Sequence, residues 1–518
     1  MKTTKVNPTP LQSRGAGVLL HPTSLPGPYG IGDLGPAARA WVDALVQAKQ
    51  QWWQMLPLSP TGYADSPYQC LSTFAGNPNL ISPDELVKDG LLRRRDVAGR
   101  SFDARRVDFG AVIPFKTGLL AKAWEHFKRG ATRRLKREFE RFCGEERSWL
   151  KDFAIFMALK DTHGGARWFE WKPELMERKP AALARARESL RDAIRQHEFR
   201  QFLFFRQWRA LKAYANARGV KLIGDIPIFV SGDSADVWSR PAEFLLDERR
   251  RPKVVAGVPP DYFSKTGQLW GNPHYDWKAM KRTGYRWWIA RVRATLRMVD
   301  VVRVDHFRGF EAAWQVPGGD ATAQRGRWVK GPGAELFDKL RAALGPLPII
   351  AEDLGFITPA VDALRMRYNF PGMRILQFAF GGAVEHRFLP HNYERNTIIY
   401  TGTHDNDTTR GWFATASRKE RTLVRRYVGH RCDDRNVSWD LMRLAWSSVA
   451  DLSIAPLQDV LNLGTEARMN FPGQSSGWWR WRFTASQLTG ATLNRLGEMT
   501  GVYGRATKPS RERNRRQS

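Results

Sequence analysis

VVRVD (301–305), IIAE (349–352) and TIIYTGTHD (397–405) each run apolar residues into a carboxylate. Short β-branched runs of this kind read as strands buried on both faces, as in a parallel sheet covered by helices. Asp305, Glu352 and Asp405 then fall where a strand hands over to its following loop, the place where a parallel barrel keeps its chemistry. One acid there is equally well explained as a helix N-cap or a solvated loop residue. Three of them, with Arg303 two residues before Asp305 and His404 directly before Asp405, ask for more than capping.

Residues two apart on a strand share a face. Arg303 is therefore expected to point with Asp305 and to hold that carboxylate ionised. An ionised carboxylate, a second one that could be kept protonated and a third beside a histidine suit a reaction in which positive charge develops. Glycoside cleavage is such a reaction, because its transition state resembles an oxocarbenium ion and its enzymes use paired Asp or Glu residues.

Working outward, apolar runs bounded by turn residues give eight candidate strands, at 17–21, 52–58, 221–230, from near Met298 to Asp305, 347–352, 373–380, 397–402 and 452–460. Eight is the number that closes a (β/α)8 TIM barrel. The chain's 518 residues leave room for insertions. One is a charged, helix-rich subdomain at about 84–219, whose last helix is expected to run from Pro180 to Gly219, with Pro at the start and Gly at the end. The other, at about 231–285, is a loop subdomain rich in Pro, Gly and aromatics that should roof the site. Residues 14–505 then form a single catalytic barrel between a flexible N-terminus (1–13) and a basic, disordered tail (506–518).

Composition excludes several classes. No run approaches the roughly 18 apolar residues of a membrane span, and the start has no apolar signal core, so no membrane partner and a cytoplasmic location are expected. Cys70, Cys143 and Cys432 are too scattered for a disulfide framework, and the ten histidines show no ligand spacing, so no metal and no cofactor are expected. The net charge of +30 raises non-specific attraction to polyanions. With no nucleic-acid-binding motif beside it, however, it reads as Arg on solvated faces, and no specific nucleic acid is expected. Among the 21 Trp residues, those in Gly/Pro-rich loops, Trp270, Trp412, Trp478 and Trp479, are candidate sugar platforms.

Eight segments carry a resemblance: LLHPTSLPGPYGIGDLG (19–35), LPLSPTGYADSPYQ (56–69), GDIPIFVSGDSADVW (224–238), GVPPDYFSKTGQLWGNP (257–273), RVDHFRGF (303–310), AEDLG (351–355), GTHDNDTTRGW (402–412) and ARMNFPG (467–473). In this order, over about 14–485, they resemble the 4-α-glucanotransferases, also called amylomaltases or disproportionating enzymes. The resemblance implies an α-amylase-like barrel, a retaining double displacement on α-1,4-glucans and maltooligosaccharides, and glucose as an acceptor. It implies Asp305 as nucleophile, Glu352 as general acid/base and Asp405 as the third, charge-stabilising carboxylate. A retaining pair places its two carboxyl groups about 5–5.5 Å apart.

The same resemblance implies sugar contacts for His404, His306, Asp225, Ser66, Tyr68 and Asn470, with Arg303 on Asp305, and puts Tyr63 on an outer glucan surface. Structural roles stand beside these: Asp225 as a buried acid orienting Arg303, Asn470 as a loop cap. Tyr262, Phe263, Gln268, Trp270 and Asn272 offer three aromatic faces and two amides and are expected to clamp an acceptor sugar from the roof, with Gly257, Gly267 and Gly271 allowing it to move; the alternative is that these aromatics only pin the loop to the barrel. Transfer rather than hydrolysis needs such a clamp, since the intermediate goes to whichever hydroxyl arrives. The chain departs from the family pattern at Ala64, Asn79, His274 and Gly381-Gly382. An α-amylase-type hydrolase is the alternative, a glucan-binding protein without activity a further one, and the oligomeric state stays open.

Overall fold

The computed structural model describes residues 14–260, 264–474 and 476–506. Eight parallel strands lie in one sheet and follow one another in chain order: Gly15–Leu19, Trp52–Gln54, Lys221–Pro227, Val301–Asp305, Ile349–Ala351, Gly372–Ile375, Thr397–Tyr400 and Leu452–Pro456. The first strand pairs with the last, from Gly15 opposite Leu452 to Leu19 opposite Pro456. The sheet closes between the fifth and sixth strands, where Ala351 N donates to Pro371 O at 3.0 Å. The fold is a (β/α)8 TIM barrel with insertions.

The strands form where β-branched and aliphatic side chains can be buried on both faces. Val301, Val302, Val304, Ile349, Ile350, Ile398 and Ile399 are all at most 2% exposed. One glycine is set by close approach: a Cβ on Gly17 would sit 2.4 Å from Trp52 O of the neighbouring strand.

All eight expected strands are present, but several are shorter than the apolar runs that announced them. The second ends at Gln54, the third at Pro227, the sixth at Ile375 and the eighth at Pro456. Beyond the last two ends, the chain turns into the short helices Leu376–Phe378 and Leu457–Val460. Leu457 and Val460 are still buried. Apolar runs report burial, and burial continues past the rim under the covering loops, whereas the hydrogen-bond ladder does not.

Between the second and third strands stand helices, the longer ones being Phe109–Gly130, Arg133–Glu145, Arg147–Thr162 and Arg191–Ala217. They pack on a cluster of Trp124, Phe127, Phe139, Phe199 and Phe202. The helix expected from Pro180 to Gly219 is in fact two, Pro180–Ser189 and Arg191–Ala217, broken at Leu190 (φ −108°, ψ 19°). Leu190 is partly buried against the core there, and its N–H still donates to Ala186 O at 2.9 Å. Gly219, at φ +78°, and the Val220 N to Ala215 O bond of 3.0 Å close the end.

The roof is more ordered than a loop subdomain. Val254–Val258 and Gln268–Pro273 join Ala312–Pro317 and Arg327–Lys330 in a four-stranded antiparallel sheet. Alternation there is hidden by Gly and Pro, and half of the sheet comes from beyond the fourth barrel strand. Gly267 is held at φ +68°, where a Cβ would meet Val258 O at 2.3 Å. Tyr262 and Phe263, the N-terminal residues 1–13 and the tail from 507 onward lie outside the described residues.

Gly17→Ala should destabilise the protein by about 1–3 kcal/mol by overpacking the first seam. Denaturant midpoints of the variant and parent check this, and an unchanged midpoint would contradict the close approach.

Candidate active site

The barrel register places Asp225 on the third strand opposite Arg303 on the fourth, and Pro227 opposite Asp305. Arg303 is 4% exposed. Its Nη1 donates to Asp225 Oδ2 at 2.6 Å and its Nη2 to Asp305 Oδ1 at 2.7 Å. The planar fork of a guanidinium suits this double duty, one arm to each carboxylate. Burial pushes the Asp225 carboxyl upward, with Arg303 pulling it down and Asp305 adding to the rise. Tyr68 donates its hydroxyl to the same Asp225 oxygen at 2.8 Å.

Tyr68 ties this buried triad to the far side of the barrel mouth. Its ring stacks on His404 at 5.1 Å and 16°, and Trp479 leans on both. His404 Nε2 lies 3.4 Å from Asp405 Oδ1. Asn470 Nδ2 donates to that same Asp405 oxygen at 2.7 Å, and Asn470 N donates to His404 O at 3.0 Å. Arg468, absent from the sequence-derived set, donates to Asp405 O and to Asn470 O, both at 2.7 Å. Its signal was a cation two residues before Asn470 in the same motif.

Glu352 follows the fifth strand and is 8% exposed. It has no ion-pair partner among the described residues. Its Oε2 accepts His306 N at 2.8 Å and its Oε1 accepts Leu354 N at 2.6 Å. Burial first, then the charge of Asp305, pushes its carboxyl up to about 8, against the opposing effects of Arg303 and the two backbone donors. Glu352 is thus set to carry a proton near neutral pH beside a carboxylate that pairs with a cation.

His306 takes the left-handed conformation (φ 52°, ψ 49°) that turns its amide onto Glu352. Burial, with Arg308 nearby, pushes its ring down to about 3, so it is neutral. The Trp270 indole meets it edge-on at 4.8 Å. Trp270 Nε1 donates to Gln268 Oε1 at 3.2 Å. Asn272 is committed elsewhere: it donates to Val230 O at 2.9 Å and accepts from Gln69 Nε2 at 3.2 Å, so it pins the roof strand to the barrel. Gln69, also missed, stands next to Tyr68 in the second loop and bridges the two layers.

The other candidates divide. Ser66 accepts from Tyr68 N at 3.3 Å, a turn contact within its own loop. Tyr63 is 68% exposed on the outer surface, and Ala64 after it holds φ 58°, the left-handed region that glycine adopts without strain. Trp412 packs near Phe380, Trp478 near Phe471, and Trp479 is buried behind Tyr68. Asn79 is buried on the Asn77 cap, and His274 is buried with its Nε2 3.2 Å from Trp314 O. Among the described residues, no group of three or more His, Cys, Asp or Glu side chains is arranged to hold a metal ion.

With a proton-carrying Glu352 and an Arg-paired Asp305 side by side at the mouth of a TIM barrel, comparison with known proteins is decisive. The family model for 4-alpha-glucanotransferase matches residues 20–488. The chain belongs to the 4-alpha-glucanotransferase family. It is 50% identical to the 4-alpha-glucanotransferase of Thermus thermophilus over 94% of this chain and 99% of that one. It is 49% identical to that of Synechocystis sp. over 96% and 99%. The solved amylomaltase from Streptococcus agalactiae in complex with acarbose superposes with a TM-score of 0.93 at 40% identity, covering 95% of this chain and all of that one.

The raised Glu352 carboxyl has a stability consequence. Its proton is held more tightly in the folded chain than in the unfolded one, so its contribution is full below about pH 4.5 and is lost as pH rises toward about 8. Glu352→Gln cannot titrate. The stability of that variant relative to the parent should therefore rise from pH 5 to pH 8, as read from melting temperatures at the two pH values; a constant difference would contradict the shift.

Proposed function

We propose that the chain cuts an α-1,4-glucan by a retaining double displacement and passes the glycosyl part to the 4-hydroxyl of another glucan or of glucose. The observation that carries this reading is the unequal setting of two adjacent carboxyls. Asp305, with Oδ1 on Arg303, attacks the anomeric carbon through its other oxygen and forms the glycosyl ester. Glu352 gives its proton to the departing glycosidic oxygen, so the leaving glucan departs with a free 4-hydroxyl. As a carboxylate it then takes the proton of the acceptor 4-hydroxyl, which displaces Asp305 from the sugar.

Asp405, oriented by Asn470 and the Arg468-held loop, faces the charge that develops on the ring. His404, stacked on Tyr68, and the neutral His306 offer ring nitrogens to sugar hydroxyls, while Tyr68 supplies an aromatic wall for the cleaved sugar. The Gln268–Pro273 strand sets Trp270 against His306, with Gln268 Oε1 held by the indole; Trp270 and Gln268 there bind the acceptor sugar and keep water from the ester, a role the sequence also assigns to Tyr262 and Phe263. Asn272 and Ser66 hold this machinery in place.

The partners are α-1,4-glucans and maltooligosaccharides. No helix among the described residues is long and apolar enough to cross a membrane. A cytoplasmic location is in keeping with the three free cysteines, Cys70, Cys143 and Cys432.

Incubation with maltotriose should give glucose and a ladder of longer maltooligosaccharides; maltose and glucose alone would mark a hydrolase. Asp305→Asn should lower kcat by at least about 1,000-fold, as loss of a covalent nucleophile does. Full activity in that variant would remove the double displacement. Trp270→Ala should shift products from transfer toward hydrolysis by roughly tenfold, about 1.4 kcal/mol of acceptor preference, measured as free reducing ends formed per glucose released.

A further inference from the structure

Seven of the eight barrel seams are hydrogen-bonded ladders. The eighth, between Ile349–Ala351 and Gly372–Ile375, is not, and it lies directly beneath Glu352. Its first rung is ordinary, Ala351 N to Pro371 O at 3.0 Å. In a parallel ladder the next rung would run from Met373 N back to Ala351 O. Instead, Met373 N donates to the side chain of Asp353, at 2.6 Å from Oδ1.

Asp353 is 0% exposed and follows Glu352 immediately. Its Oδ2 gathers Arg374 Nη1 at 3.2 Å, Arg387 Nη2 at 2.9 Å and Arg365 Nε at 3.6 Å. Arg387 also donates to Asp353 O at 3.1 Å. The carboxylate therefore replaces a backbone rung and anchors the residue after Glu352 to the sixth strand, its following loop and a covering helix at once. The fit is tight from the opposite side: a Cβ on Gly372 would meet Asp353 Oδ2 at 2.5 Å.

We propose that Asp353 is a positioning residue for the acid/base Glu352: its side-chain clasp across the open seam fixes the backbone from which Glu352 reaches the glycosidic oxygen. The inference rests on Glu352 being the acid. A buried ion cluster that served stability alone would affect every step equally. A clasp for the acid affects the steps that need proton transfer and spares one that does not.

The test uses two donors, maltotriose, whose leaving group must be protonated, and α-maltotriosyl fluoride, whose fluoride leaves without a proton. Asp353→Ala should lower kcat on maltotriose about 100-fold, the effect of a catalytic group displaced by about 1 Å. Its KM should stay within about threefold, and its first-turnover fluoride release should stay within about threefold of the parent, so that general acid catalysis alone is lost. Gly372→Ala pushes the clasp from the other side without removing a charge, and should show the same selective defect even where Asp353→Ala folds poorly. Equal losses on both donors, or no loss on maltotriose, would overturn the proposal. Glu352→Gln separates it from the reading beneath it: unchanged maltotriose activity there would show that Glu352 is not the acid, whatever Asp353 does.

Discussion

The guanidinium of Arg303 is the hinge of this site. It is buried between strands three and four with one carboxylate on each arm, Asp225 at 2.6 Å and Asp305 at 2.7 Å. Such a pair is tolerated in a barrel interior only when its geometry is good and further hydrogen bonds satisfy the charges. Tyr68 supplies one of these to Asp225, and through its stacking on His404 it connects the cluster to the third carboxylate. The Asp305 carboxylate, the Tyr68 ring and the Asp405 loop thus share one electrostatic support.

The reactive asymmetry follows from that support. Asp305 has a cation and Glu352 has none; Glu352 is buried, receives two backbone N–H groups and feels the charge of Asp305. Two acids of one ordinary chemistry are driven apart by their surroundings, one paired with a cation and the other pushed toward holding its proton, as the proposed nucleophile and acid require. On the proposed mechanism the roof sheet governs the fate of the intermediate; it places Trp270 against His306 and is itself pinned to the barrel through Asn272 and Gln69. The Asp353 clasp would do for Glu352 what Arg303 does for Asp305, by a side chain in place of a missing ladder rung.

Much of this was legible in the chain. Period and composition gave all eight strands, because a strand buried on both faces must be apolar along its length. The three carboxylates stood out as charged ends of apolar runs, and Arg303 by its spacing of two from Asp305. The strand ends were not legible, since burial continues past Ile375 and Pro456 into Leu376, Leu457 and Val460. The break at Leu190 left no mark in the helix pattern, and in the roof sheet Gly and Pro masked alternation.

What the sequence determined by itself was therefore local: which segments are strands, which acids end them, and the family to which the motifs belong. What only the tertiary structure decided was partnership. That Arg303 shares itself between Asp225 and Asp305, that Tyr68 serves an acid 157 residues away, that Asn272 braces the roof, and that Asp353 supplies a rung of the one seam without a full backbone ladder depend on groups apart in the chain. Residue periodicity records whether a side chain is buried. Only closure of the barrel fixes which buried charge lies within a hydrogen bond of which other.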